Sequence, residues 1–187
     1  MTGKGTIVEA QNDIDISEQD KLWTLLDFIE HFNIHYRLLL KRYERFKEIN
    51  DKYNADIDSA TYFDLIIVQL RAMCIENPKY QKNYTAQNFL RMTGRSKQAD
   101  AIDAMLNESI PLSLESNITI RIAVKTLADK IICHYDNFDG EKGFDWSFAH
   151  IIETYLKNPY ADVNLDYIMK TVTDCLGEGL VYCSIEK

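Results

Sequence analysis

The sequence predicts an all-α protein, a helical bundle of about five to seven helices joined by short connections. Two observations carry that expectation. Apolar residues recur at three- and four-residue steps through 20–50, 59–76, 112–137 and 164–176, the stripe of an amphipathic helix. Strand-like alternation is missing except over residues 6–9 and 180–184. A length of 187 residues suits one domain with a substantial core. That domain is expected over 16–187, after a flexible tail at 1–15 that mixes Gly, Thr, Asn and Asp.

Taken in order, Ser17 opens the first helix, with Glu18 and Asp20 in its first turn. The stripe runs through Leu22, Ile29, Tyr36 and Tyr43 to about Asn50. About thirty residues at about 1.5 Å each span roughly 45 Å, so the helix packs along a partner or bends. Arg37, Lys41 and Arg45 fall four apart on it. They read either as phosphate contacts or as a solvated face balanced by Glu44 and Glu48. Asp58 or Ser59 caps the second helix. Its apolar residues, from Tyr62 to Cys74, lie almost all round, which predicts the most buried helix. Asn77 and Pro78 end it. Thr85 caps a short helix to Met92, Gly94 breaks it, and Ser96 opens another to Leu106. Residues 107–111 read as a loop. Arg91, Arg95 and Lys97 stand at the break between the two short helices, where they can steer an anion. Residues 138–144 carry two glycines and alternating charge, a mobile loop. Asp145 caps the helix from Trp146 to Lys157, and Asn158 with Pro159 ends it. Asn164 or Asp166 opens the last helix and Gly177 closes it.

The net charge of −8 argues against a general nucleic-acid coat. Yet residues 31–53 hold six basic and three acidic side chains, and 79–97 hold five basic and no acidic ones. A polyanion can be held locally on such segments. No run approaches about eighteen apolar residues, so no membrane span is expected. Residues 1–20 lack the apolar core of a signal peptide, and a cytoplasmic location follows as the expectation. Cys74, Cys133, Cys175 and Cys183 have no CxxC spacing and read as reduced, mostly buried thiols. The chain has no GxGxxG, no GxxxxGK[ST] and no GxSxG. His31 and His35 are four apart, but Phe32 holds the place of the Glu in a zinc HExxH. No metal and no cofactor are expected.

Residues 112–137 organise the rest. Ile120, Val124, Leu127 and Ile131 form a buried stripe, and His134 continues it. Lys130 lies one turn before His134, beside the seam, and Asp129 lies on the wetter face. A histidine there is either a packed core residue with satisfied nitrogens or an acid–base group poised near neutral pH.

The run Asp-Lys-Ile-Ile-Cys-His-Tyr-Asp at 129–136 resembles the signature of the HEPN superfamily, in particular its abortive-infection-type bacterial members. Asp129 fits the polar position, Lys130 the Lys, Cys133 the small residue and His134 the His. Ala128 stands where the family has Arg. The resemblance implies a helical bundle that acts as a metal-independent ribonuclease or as an RNA- or nucleotide-binding relative. It also implies a toxin–antitoxin or phage-defence setting, a cognate antitoxin or other protein partner, and a homodimer whose two motifs face one cleft.

On that resemblance His134, Lys130 and Asp129 form the catalytic group. His134 moves the 2′-hydroxyl proton and Lys130 replaces part of the missing Arg charge. Arg37, Lys41, Arg45, Arg91 and Arg95 are the candidates for holding RNA phosphates. Arg121 lies more than three turns before His134 and faces elsewhere. Losing a phosphate-binding Arg costs several kcal/mol, roughly a thousandfold in rate. Cleavage is therefore expected to be weak or lost, and Ala128→Arg to raise it where Ala128 faces the cleft. The competing reading is a non-enzymatic all-α interaction or regulatory protein in which His134 is a core residue.

Overall fold

Between Gly5 and Pro78 the chain has neither glycine nor proline, and one long helix takes up most of that stretch. Helix α1 (Val8–Tyr53) has 46 residues, about 69 Å at about 1.5 Å per residue. It starts before Ser17, so residues 8–15, expected as a tail, are helical. The computed structural model describes residues 8–53, 57–76, 85–112, 117–133 and 146–177, with side chains for 26–50, 57–76, 85–112, 117–129 and 148–177. The inner face of α1 buries Phe28, Phe32, Tyr36, Leu39, Phe46 and Ile49.

Helix α2 (Ile57–Leu70) runs back along α1. Ser59 Oγ meets Asn50 Oδ1 at 3.4 Å, Phe63 meets Phe46 at 6.1 Å, and Arg42 Nη1 donates to Gln69 Oε1 at 2.6 Å. Gln69 also donates to the backbone carbonyl of His35. Because the helix already begins at Ile57, neither Asp58 nor Ser59 caps it. Ser59 is buried inside it instead. Nor is α2 buried all round, because Leu65 and Ile57 are exposed. It is nonetheless central, packed between α1 and the later helix α5 (Ile120–Cys133). After Leu70 the helix widens into a π-helical turn, Arg71–Ile75, which Glu76 N closes by donating to Arg71 O at 3.2 Å.

Local chemistry sets the next boundaries. Thr85 Oγ1 accepts from Asn88 N at 3.2 Å and caps α3 (Ala86–Met92). Gly94, at φ 75°, breaks the chain into α4 (Ser96–Leu106). That left-handed turn suits glycine, whose missing Cβ removes the penalty. Residues 107–111 are not all loop. Strand β1 (Ser109–Pro111) pairs antiparallel with β2 (Asn117–Thr119), Ile110 opposite Ile118. The hairpin delays α5 to Ile120, where a helix from 112 was expected. Helix α6 (Trp146–Lys157) and helix α7 (Leu165–Leu176) follow. Asn164 caps α7 by accepting from Tyr167 N at 2.9 Å, and Gly177 ends it at φ 88°.

The result is an all-α helical bundle with one small hairpin. Helix α5 packs on α2, on the π turn and on α6, while α4 packs on α3 and α7. Phe32 stacks on Phe89 of α3 with centroids 4.4 Å apart. The C-terminal end of α7 is clamped from two directions. Tyr36 OH donates to Gly177 O at 2.9 Å, and Arg95 Nη1 donates to Leu176 O at 3.1 Å. These bonds satisfy carbonyls that a helix end leaves without partners. Among the described residues no helix is long and apolar enough to cross a membrane.

Candidate functional site

The candidate site begins where α5 nears its C-terminal end. Val124 and Leu127 turn into the core, and Ala128, one turn beyond Val124, goes with them at 0% exposure. The condition on which Ala128→Arg was expected to raise cleavage, that Ala128 faces a cleft, is not met. A helix position on the seam presents its Cβ to the core, so an arginine there meets packed side chains first.

The next residue points outward. Asp129 accepts an ion pair from Arg71 Nη2 at 3.0 Å, with side chains 38% and 29% exposed respectively. Glu76 lies 3.9 Å from the other prong, Arg71 Nη1. Arg71 is the first residue of the π turn. It is the functional candidate that the sequence reading missed. The available signal was weak: an arginine at the end of an apolar helix, with Glu76 nearby in sequence but nothing to tie it to Asp129. Lys130 is helical, but its side chain lies outside the described residues, as does the whole of His134. The expected loop at 138–144 and the cap at Asp145 lie outside them too.

The five candidate phosphate ligands divide into two groups. Arg37 and Lys41 are exposed on α1 and make no ion pair among the described residues. Arg45 is also exposed but holds Glu48 at 2.9 Å. The break between α3 and α4, expected to steer anions, uses its arginines internally. Arg91 pairs with Asp103 at 3.0 Å and Asp100 at 3.4 Å. Arg95 lies over the Phe89 ring at 5.5 Å besides holding Leu176 O. Both guanidiniums thus have protein partners, Arg91 at the surface and Arg95 half-buried.

Asp103 is the centre of a second polar cluster. It takes Arg91, Arg121 Nη2 at 3.2 Å and Gln87 Nε2 at 3.1 Å. The same Gln87 nitrogen donates to Cys74 O at 2.8 Å. This joins α3, α4 and α5 through one carboxylate, and Gln87 ties in the π turn. Arg121 thus faces Asp103 of α4. His31 stands beside Asp27 at 3.5 Å and His35 is exposed. No group of three metal-ligating side chains occurs among the described residues. Cys74 and Cys175 are free and buried.

No family model, no curated protein and no solved structure matches this chain.

Proposed function

We propose that the chain is a HEPN-like protein associated with RNA or nucleotide, in a bacterial toxin–antitoxin or phage-defence setting, with metal-independent ribonuclease activity that is weak or lost. The observation that carries the reading is Arg71, held at 3.0 Å from Asp129 beside the end of α5. A guanidinium offers a phosphate two parallel donors, which a lysine ammonium does not. Arg71 therefore supplies, from another helix, the charge type that Ala128 lacks. His134 moves the 2′-hydroxyl proton, and Arg71 with Lys130 meets the charge that grows on the phosphate. Asp129 and Glu76 hold Arg71 in place and offset part of its charge, which keeps the activity low. A homodimer brings two such ends to one cleft.

The test is cleavage of a mixed RNA without divalent metal by wild type, Arg71→Lys, Arg71→Ala and His134→Ala. Wild type is expected to cut slowly. Arg71→Ala should lose about a hundredfold or more, as for one transition-state donor, and Arg71→Lys less. Unchanged cleavage in Arg71→Ala removes Arg71 from the site. Absence of both cleavage and RNA binding in wild type removes the function. A second reading, the non-enzymatic interaction protein, is favoured by Arg91 and Arg95, whose guanidiniums are already engaged by Asp100 and Asp103 and by Leu176 O.

A further inference from the structure

Two exposed histidines stand four residues apart on α1, and we propose that His31 and His35, with Asp27 behind His31, bind a late divalent transition metal of the zinc class. The inference does not depend on the ribonuclease reading. Asp27, His31 and His35 follow one another at four-residue steps, all exposed on one face of α1. Helix positions i and i+4 bring Cβ atoms about 5–6 Å apart. Two imidazoles so placed can share one ion at about 2.0–2.1 Å from each ligating nitrogen. The backbone beneath them is held in place. Phe28, Phe32 and Tyr36 anchor the inner face of this stretch in the core, and Phe32 stacks on Phe89 at 4.4 Å. The carbonyl of His35 itself accepts from Gln69 Nε2. The spacing of the two ligands is thus set before a metal arrives, which lowers the entropy cost of binding it.

Asp27 supplies the second part of the site. Its Oδ1 lies 3.5 Å from His31 Nε2. A carboxylate there holds the ring proton on Nε2, so that Nδ1 carries the lone pair a metal needs, and it raises the basicity of that ligand. This carboxylate sets the pair apart from two histidines on an ordinary solvated face. The charge along the stretch also suits a cation. Residues 27–39 hold two acidic side chains, Asp27 and Glu30, and one basic one, Arg37, which lies about 200° around the helix from His35. Among the described residues no group of three metal-ligating side chains occurs, so water completes the coordination. Imidazole nitrogens select zinc, nickel or copper over magnesium and calcium, which take oxygen ligands. Phe32 stands where a zinc HExxH carries its Glu. The pair therefore lacks that motif's general base and holds the ion without its hydrolytic chemistry.

The experiment is isothermal calorimetry of the full, reduced chain with zinc chloride, and with magnesium chloride as the hard-cation control. Zinc is expected to bind and magnesium not. Thiols and other histidines of the chain also take zinc, so the assignment rests on substitutions. His31→Gln and His35→Gln are each expected to weaken one zinc-binding event at least about tenfold, and Asp27→Asn about tenfold, the cost of losing a carboxylate behind a metal-bound histidine. His150→Gln, at an exposed position of α6, is expected to leave that event unchanged. All the substituted side chains are exposed, and circular dichroism verifies that each variant is folded. An ion bound only by the folded chain raises its melting temperature, so zinc should raise Tm more for wild type than for the double variant His31→Gln with His35→Gln. No zinc binding, identical isotherms for wild type and that double variant, or magnesium bound as tightly as zinc overturns the proposal. So does a loss confined to one of the two single histidine variants, because a chelate needs both. Unchanged binding in Asp27→Asn overturns the part given to the carboxylate.

Discussion

A methyl group decides much at Ala128. With the side chain fully buried among core residues, Ala128→Arg adds volume and an unpaired charge to a packed seam. The expected cost is about 3 kcal/mol or more, against about 1 kcal/mol for Ala128→Gly. Urea midpoints of the two variants measure the difference, and an Ala128→Arg protein as stable as wild type would place that side chain in solvent. Cys74 makes a different point about burial. Burial, opposed by the nearby Arg121 and reinforced by Asp103 and Cys175, pushes its thiol from 9.0 up to about 12. Folding therefore favours the protonated form. The contribution is complete below pH 9.0 and is lost as pH rises toward about 12. Thermal melts should show stability falling across that alkaline window. At pH 8 alkylation of Cys74, read by peptide mass mapping, should proceed only as fast as the protein opens. Rapid labelling of the folded chain would contradict the burial.

Individual elements were legible in the sequence wherever a boundary is set by one residue's own chemistry. Thr85 and Asn164 cap the helices they precede, and Gly94 and Gly177 take the left-handed turns that only glycine adopts cheaply. Asn164→Ala should cost about 1 kcal/mol, lowering Tm by about 2–4 °C for a chain of this size, as calorimetry would show. The hairpin was harder to see. Ile110 and Leu112 alternate, as do Ile118 and Ile120, but two residues per strand are too few against the helical period that follows. The π turn has no compositional mark at all, since its residues suit an α-helix equally well. For the candidate site, Asp129 could be placed on an outer face from periodicity alone. Its partner Arg71 could not, because only the packing of α2 on α5 brings them together. Ala128 was legible as a seam position, one turn from Val124, and was read as the site of a missing arginine instead.

At the scale of the whole molecule, α2 lies between α1 and α5, and the Asp103 cluster ties the α3–α4 pair to α5 and the π turn. What closes the bundle is the clamp on the last turn of α7. Its two hydrogen bonds join residues 141 and 81 positions apart. Bringing such distant segments together carries a loop-closure entropy that grows with separation, so contacts of this kind tend to form after the folding transition state has been crossed. Interactions absent from that state act on unfolding and leave folding almost untouched. In stopped-flow chevrons, Tyr36→Phe should steepen nothing and shift only the unfolding limb, by about 1 kcal/mol, the net worth of one hydrogen bond. A shift confined to the folding limb would mean that α7 docks early. By this account Tyr36 and Arg95 govern how long the native state lasts once formed, and have little part in how quickly it arrives.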